Sequence, residues 1–219
     1  MSTLLLRLAA PLQAWGADSK FERRATGREP TKSGVIGMLA AALGRRRDES
    51  LDDLACLKFG VRIDNPGQIM RDFHTARAHG AKNPYVTQRY YLEDATFLVG
   101  LEGDDAEFLR TLEEAILSPF FPLFLGRRSC PPTGRLSLGL RNASLEDALR
   151  DEPLLTNNKH DDPILLVLDT DEVGHYRQRD LPVSFNPQHR KFAYRYLKTD
   201  TKTNILVETM HDAFEGVRE

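Results

Sequence analysis

The run Pro122-Leu123-Phe124-Leu125-Gly126-Arg127-Arg128-Ser129-Cys130-Pro131-Pro132-Thr133-Gly134 sets two adjacent guanidinium groups directly after an apolar segment, among glycines and prolines. Glycine opens backbone conformations closed to other residues, and the proline pair removes donors and narrows the exit path. The composition predicts a rigid, exposed, cationic turn, in which Arg forks and free backbone N–H groups suit phosphate oxygens. A solvated surface loop carries the same residues, because arginine pairs are frequent on loops.

Gly27-Arg28-Glu29-Pro30-Thr31-Lys32-Ser33 briefly resembles the phosphate loop of nucleotide hydrolases. It departs in two ways: Thr31 stands where the second Gly belongs, and Gly27 is one place too close to Lys32. Nucleotide hydrolysis of that kind is excluded, yet Lys32 and Ser33 remain at a helix N-terminus, where a backbone phosphate is favoured. A merely capped helix accounts for them equally. The six histidines form no His-x-x-x-His or His-Glu-x-x-His pattern, and His74 with His79 at spacing five does not present two ligands on one helix face. No metal site and no cofactor is expected. A metal-independent ribonuclease needs only a base, an acid and a cation near the scissile phosphate, which His74, Tyr90, Tyr91, Lys82 and Arg71 offer. Their spacing singles out none of them, and a His beside Asp72 and Phe73 is commonly a structural hydrogen-bonder.

These groups need a scaffold, and 219 residues with 41% apolar content suffice for one large domain or two small ones. No apolar stretch approaches the ~20 residues of a membrane helix, so no membrane partner is expected and a cytoplasmic location is the default. Cys56 and Cys130 are too few for a disulfide framework; both are expected to be reduced, with Cys56 in a core. The net charge is only −2, but charges are segregated. Residues 20–47 hold eight basic and two acidic residues, residues 144–172 two basic and nine acidic, and residues 173–202 seven basic and two acidic. One cationic face is therefore compatible with a pI near 6.3. The acidic stretch is expected to be solvated or to face a basic partner.

Thr3–Leu8 reads as a buried strand ended by Pro11. Thr31 or Ser33 caps a helix from about 33 to Leu43, with Gly44 as its stop, and Gly34, Gly37 and Ala41 form a small-residue stripe suited to close approach to a sheet. Phe59–Asp64 and Ala95–Leu101 read as strands, Asp104–Leu117 as an amphipathic helix, and Arg135–Leu140 as a further strand. The order strand, helix, strand, strand, helix, strand predicts an α+β, ferredoxin-like (RRM/RAMP) domain over residues 1–142. Residues 70–94 are an insertion too long for a tight turn, carrying Arg71, His74, Arg77, His79, Lys82 and Arg89 among Phe73, Tyr85, Tyr90 and Tyr91. Such a protruding arm suits single-stranded RNA; a hairpin folded back with its aromatics inside is the alternative. Ile164–Leu168 is a strand within a smaller C-terminal part, residues 143–219.

Leu6–Gly16, Pro30–Gly37, Arg71–Thr75 and Leu125–Pro131 occur in the order found in the CasD family, and over about residues 3–141 the chain resembles those subunits of the type I-E CRISPR Cascade complex. The resemblance implies a RAMP fold whose residues 70–94 are a thumb-like β-hairpin over RNA. It implies a non-catalytic subunit, in antiviral defence, that caps the 5′ handle of the CRISPR RNA. It further implies contacts with the Cascade backbone subunit and large subunit, and with target DNA only indirectly through the complex. Gln13, Trp15, Lys32, Ser33, His74, Arg89, Gly126, Arg127, Arg128 and Ser129 lie in the matching motifs or on the thumb and become candidate RNA-binding residues. An endoribonuclease that processes CRISPR repeat RNA is the alternative, and a purely architectural subunit a third.

Overall fold

Strand β1 (Ser2–Ala9) can carry Leu4, Leu5 and Leu6 in succession because both of its faces are covered. Leu4, Leu6 and Leu8 enter one core and Leu5 enters another on the opposite side, as the period of two requires. The computed structural model describes residues 1–16, 23–77, 83–156, 163–173 and 176–202. After β1 come β2 (Leu12–Gln13), β3 (Arg23–Arg24), α1 (Lys32–Ala42), α2 (Asp52–Ala55), β4 (Lys58–Asn65), β5 (Gln68–Ala76), β6 (Tyr85–Glu93) and β7 (Thr96–Gly103). Then follow α3 (Ala106–Leu117), β8 (Ser137–Arg141), α4 (Leu145–Asp151), β9 (Ile164–Thr170), β10 (Tyr176–Ser184) and β11 (Lys191–Lys202).

Seven strands form one antiparallel sheet in the order β10-β11-β9-β4-β7-β1-β8. Helices α1 and α3 lie on one face, where Val35, Ile36, Leu39, Leu109, Leu112 and Ile116 join Phe59, Val61, Phe97 and Val99 in the main core. Thr31 caps α1, its hydroxyl accepting from Gly34 N at 3.2 Å, and Gly44 follows the helix at φ +77°. The strands after residue 142 enter the same sheet through β9 against β4.

The opposite face is covered by α4, which pattern reading missed inside the acidic stretch. Ser144 caps it, and Leu145 and Leu149 pack over Gly60 and Gly100, a cross-strand pair with no side chains in the way. The stretch is not left to solvent or to an outside partner alone. Glu146 pairs with Arg150 and Lys198, Glu152 with Arg141, and Asp169 with Lys32 and Arg195, so these three of the nine acidic residues are paired within the chain. Cys56 also departs from expectation, being exposed at the end of α2, whereas Cys130 is buried.

The insertion is a hairpin, beginning at Gln68, and its base is not a free arm. Strand β6 is paired with β5 and flanked by β2 and β3 in a second, four-stranded sheet. Its aromatics divide accordingly: Tyr91 is buried, while Phe73 and Tyr85 are exposed.

Candidate nucleic-acid interface

The motif residues nearest the N-terminus build the floor of the site. Gln13 is fully buried; its amide donates to Leu8 O and Ala95 O at 3.3 and 2.7 Å and accepts from Trp15 Nε1 at 3.0 Å. Both polar atoms of that side chain are spent on holding the indole. The Trp15 ring in turn lies against Gly34, where an added Cβ would come within 2.9 Å of a ring carbon. The small-residue stripe of α1 thus admits a tryptophan at Gly34 rather than a sheet.

The Gly126 turn is locked against the same segment. Ala14 N donates to Leu125 O at 3.1 Å, and Gly126, at φ +85°, lies so near that an added Cβ would sit 1.7 Å from Ala14 O. Only glycine fits both the left-handed conformation and the contact. Beyond it the two arginines part company. Arg127 turns inward, donating to Tyr90 O at 3.1 Å and Arg24 O at 2.9 Å with its guanidinium 4.6 Å from the Tyr91 ring centroid. It clamps β3 and β6 together at the lip of the site. Arg128 and Ser129 point outward and are exposed.

The N-terminus of α1 differs from the phosphate cradle that Lys32 and Ser33 suggested. Lys32 is 4% exposed; its backbone N donates to Asp180 Oδ2 at 2.8 Å and its ammonium pairs with Asp169 Oδ2 at 3.0 Å. A carboxylate of the chain itself already occupies the positive end of this helix. Arg195 completes the group, gripping Asp180 through Nε and Nη2 at 2.6 and 2.8 Å and also binding Asp169. Burial holds the neighbouring Glu29 carboxyl above its ordinary range, against the pull of Arg195 and with a push from Asp180.

A cleft of about 490 Å³ opens between these parts. Of the candidate residues it gathers Trp15, Ser33, Gly126 and Arg127, and it adds Arg24, Arg179, Arg190 and Phe192. Arg24, Arg179 and Arg190 have no carboxylate partner among the described residues, so the cleft wall is strongly cationic. Arg24 is moreover paired in register with Arg89 of β6, and like charges at paired positions repel. An anion between them would offset that repulsion. Arg24 belongs to the first basic run of the sequence and Arg179 and Arg190 to the last, on the β10–β11 hairpin, which no motif marks.

His74 stands apart on β5, half-buried, with Nε2 2.6 Å from Asp72 Oδ2. Register places His74, Asp72, Arg89 and Tyr91 on one face of the hairpin and Arg71, Phe73 and Tyr90 on the other. The base, acid and cation suggested for RNA cleavage are thus split between opposite faces, and Tyr91 is buried beneath Arg127. Lys82 and His79 lie outside the described residues. Among the described residues no three His, Cys, Asp or Glu side chains are grouped to hold a metal, and no helix is long and apolar enough to cross a membrane.

The family model described as CRISPR-associated protein (Cas_Cas5) matches residues 3–198. The chain belongs to the Cas5 family. It is 41% identical over 165 residues to the CRISPR system Cascade subunit CasD of Escherichia coli strain K12, a match that spans 65% of this chain and 73% of that one. Its fold is similar to a crystal structure of a Cas protein, with TM-score 0.75 and 41% identity over 92% of this chain and 95% of that one. It is also similar to a chain of a CRISPR RNA-guided surveillance complex, with TM-score 0.78 and 35% identity over 91% of this chain and 90% of that one.

Proposed function

We propose that this Cas5 chain is a non-catalytic subunit of a Cascade-type surveillance complex and holds the 5′ handle of the CRISPR RNA in the arginine-lined cleft. The observation that carries the reading is the convergence of motif residues Trp15, Ser33, Gly126 and Arg127 around one cavity with three arginines that have no carboxylate partner among the described residues. Within the large sheet the segment β4-β7-β1-β8, with α1 and α3 on one face, has the order of a ferredoxin-like RAMP core. In this reading Arg24, Arg89, Arg128, Arg179 and Arg190 meet phosphates, while Ser33, Ser129 and His74 offer further polar contacts. Gln13, Trp15, Lys32, Gly126 and Arg127 shape the surface from behind. The exposed Arg71–Phe73 pair, 5.0 Å from guanidinium to ring centroid, faces outward on the hairpin, where the backbone and large subunits of the complex would dock.

Crosslinking RNA in the assembled complex and mapping the joined positions tests the assignment, with crosslinks expected at handle nucleotides. Arg24→Ala combined with Arg179→Ala should weaken handle binding and lower the salt slope by about 1.4 if each arginine meets one phosphate of a single strand. An unchanged slope refutes those contacts. The endoribonuclease reading has its own outcome: specific cleavage of repeat RNA in excess EDTA, lost in His74→Ala, would replace this proposal.

A further inference from the structure

The basic C-terminal run is paired selectively. Arg195 and Lys198 are tied to Asp169, Asp180 and Glu146, whereas Arg177, Arg179 and Arg190 are exposed and have no carboxylate partner among the described residues. Two of these three, Arg177 and Arg190, lie against aromatic rings instead. Arg177 stands 4.1 Å from the Tyr194 ring centroid, and Arg190 stands 5.3 Å from that of Phe192. Phe192 lines the cleft, and Tyr194, two residues on along β11, shares its face. Tyr194 is 53% exposed, well above what a ring needed for the core would show.

We propose that the outer face of the β10–β11 hairpin, centred on Tyr194 and Arg177, is a second single-stranded RNA site that continues the cleft outward and stacks a base beyond those the cleft holds. The proposal rests on the cleft reading for its direction, since Phe192 and Arg179 belong to both. Tyr194 and Phe192 are about 6.6 Å apart along the strand, twice the ~3.4 Å axial advance per nucleotide. Exposed rings supply sequence-tolerant stacking and the flanking arginines hold phosphates, which is the arrangement that single strands require. A protein partner that buries Tyr176 and Val183, also exposed on β10, is the competing occupant that the crosslinking arm of the test separates.

The test uses the full chain and 5′-labelled single-stranded RNAs of 6 and 14 nucleotides, lengths of roughly the ~4–16 that single-strand sites span. Tyr194→Ala with Arg177→Ala should leave the melting temperature and 6-mer binding unchanged and weaken the 14-mer about tenfold, the low end for one lost stack. Tyr194→Phe should restore the stacking part. Equal 14-mer binding by the double variant and the parent overturns the proposal while leaving the cleft reading intact. Loss of 14-mer binding in this variant, with normal 6-mer binding in Arg24→Ala/Arg179→Ala, would uphold the strip and remove the cleft. In the assembled complex, crosslinks from position 194 to protein and none to RNA would also overturn it.

Discussion

At the residue scale, the decisive position is a glycine without a side chain. Gly126→Ala would force a Cβ into the Ala14 carbonyl at a left-handed φ, so a loss of about 2 kcal/mol or more is expected in chemical denaturation. Because the contact joins the turn to the Trp15 segment, RNA affinity should fall along with stability. Glu29 carries the opposite kind of test. Its folded pKa is raised by burial, so the protein gains from its neutral form below the ordinary 4.5 and loses that gain as pH climbs through the raised value. Glu29→Gln should therefore melt higher than the parent at neutral pH, with the difference vanishing below pH 4.5; a constant difference across the titration would dissociate the effect from ionisation.

At the scale of elements, α4 shows how a buried charge can seat a helix. Arg62 is fully buried, pairs with Asp64 at 2.7 Å, and donates to Leu149 O, Glu152 O and Pro153 O at 2.6, 2.5 and 2.8 Å. It supplies donors to the carbonyls where α4 ends, which the helix cannot satisfy itself. Arg62→Met leaves those carbonyls and Asp64 buried without it, and about 3–5 kcal/mol of destabilisation is expected, with amide exchange fastest in α4. The alternation of Phe59 through Asp64 was legible as a strand, but nothing in it marks the second face as covered. The covering helix comes from residues 145–151, distant in sequence and masked by acidic composition. The Ser144 cap with Leu145, Ala148 and Leu149 was the available signal. The six-element order of the first 142 residues was legible because each element announces itself locally through periodicity, caps and stops. The cleft was legible only by half, since Arg179 and Arg190 reach it through long-range pairing of strands that carry no motif.

For the whole molecule, charge segregation along the chain becomes a fastening between layers. Asp169 on β9 accepts from Phe59 N of β4 and binds Lys32 of α1 and Arg195 of β11, so one carboxylate ties three elements. Asp169→Asn leaves two buried cations short of a partner, and a cost of about 3 kcal/mol is expected. Since Arg179 and Arg190 ride on the hairpin it anchors, hydrogen exchange should quicken in β10 and β11 and RNA affinity should drop, although residue 169 does not line the cleft.

The two cysteines have a practical consequence. Cys130 is shut inside and burial pushes its thiol up, whereas Cys56 lies open at the end of α2 and is not among the residues lining the cleft. A thiol-reactive fluorophore should attach at a single place on the folded chain without mutagenesis, giving an optical reporter of assembly that modifies none of the cleft-lining side chains.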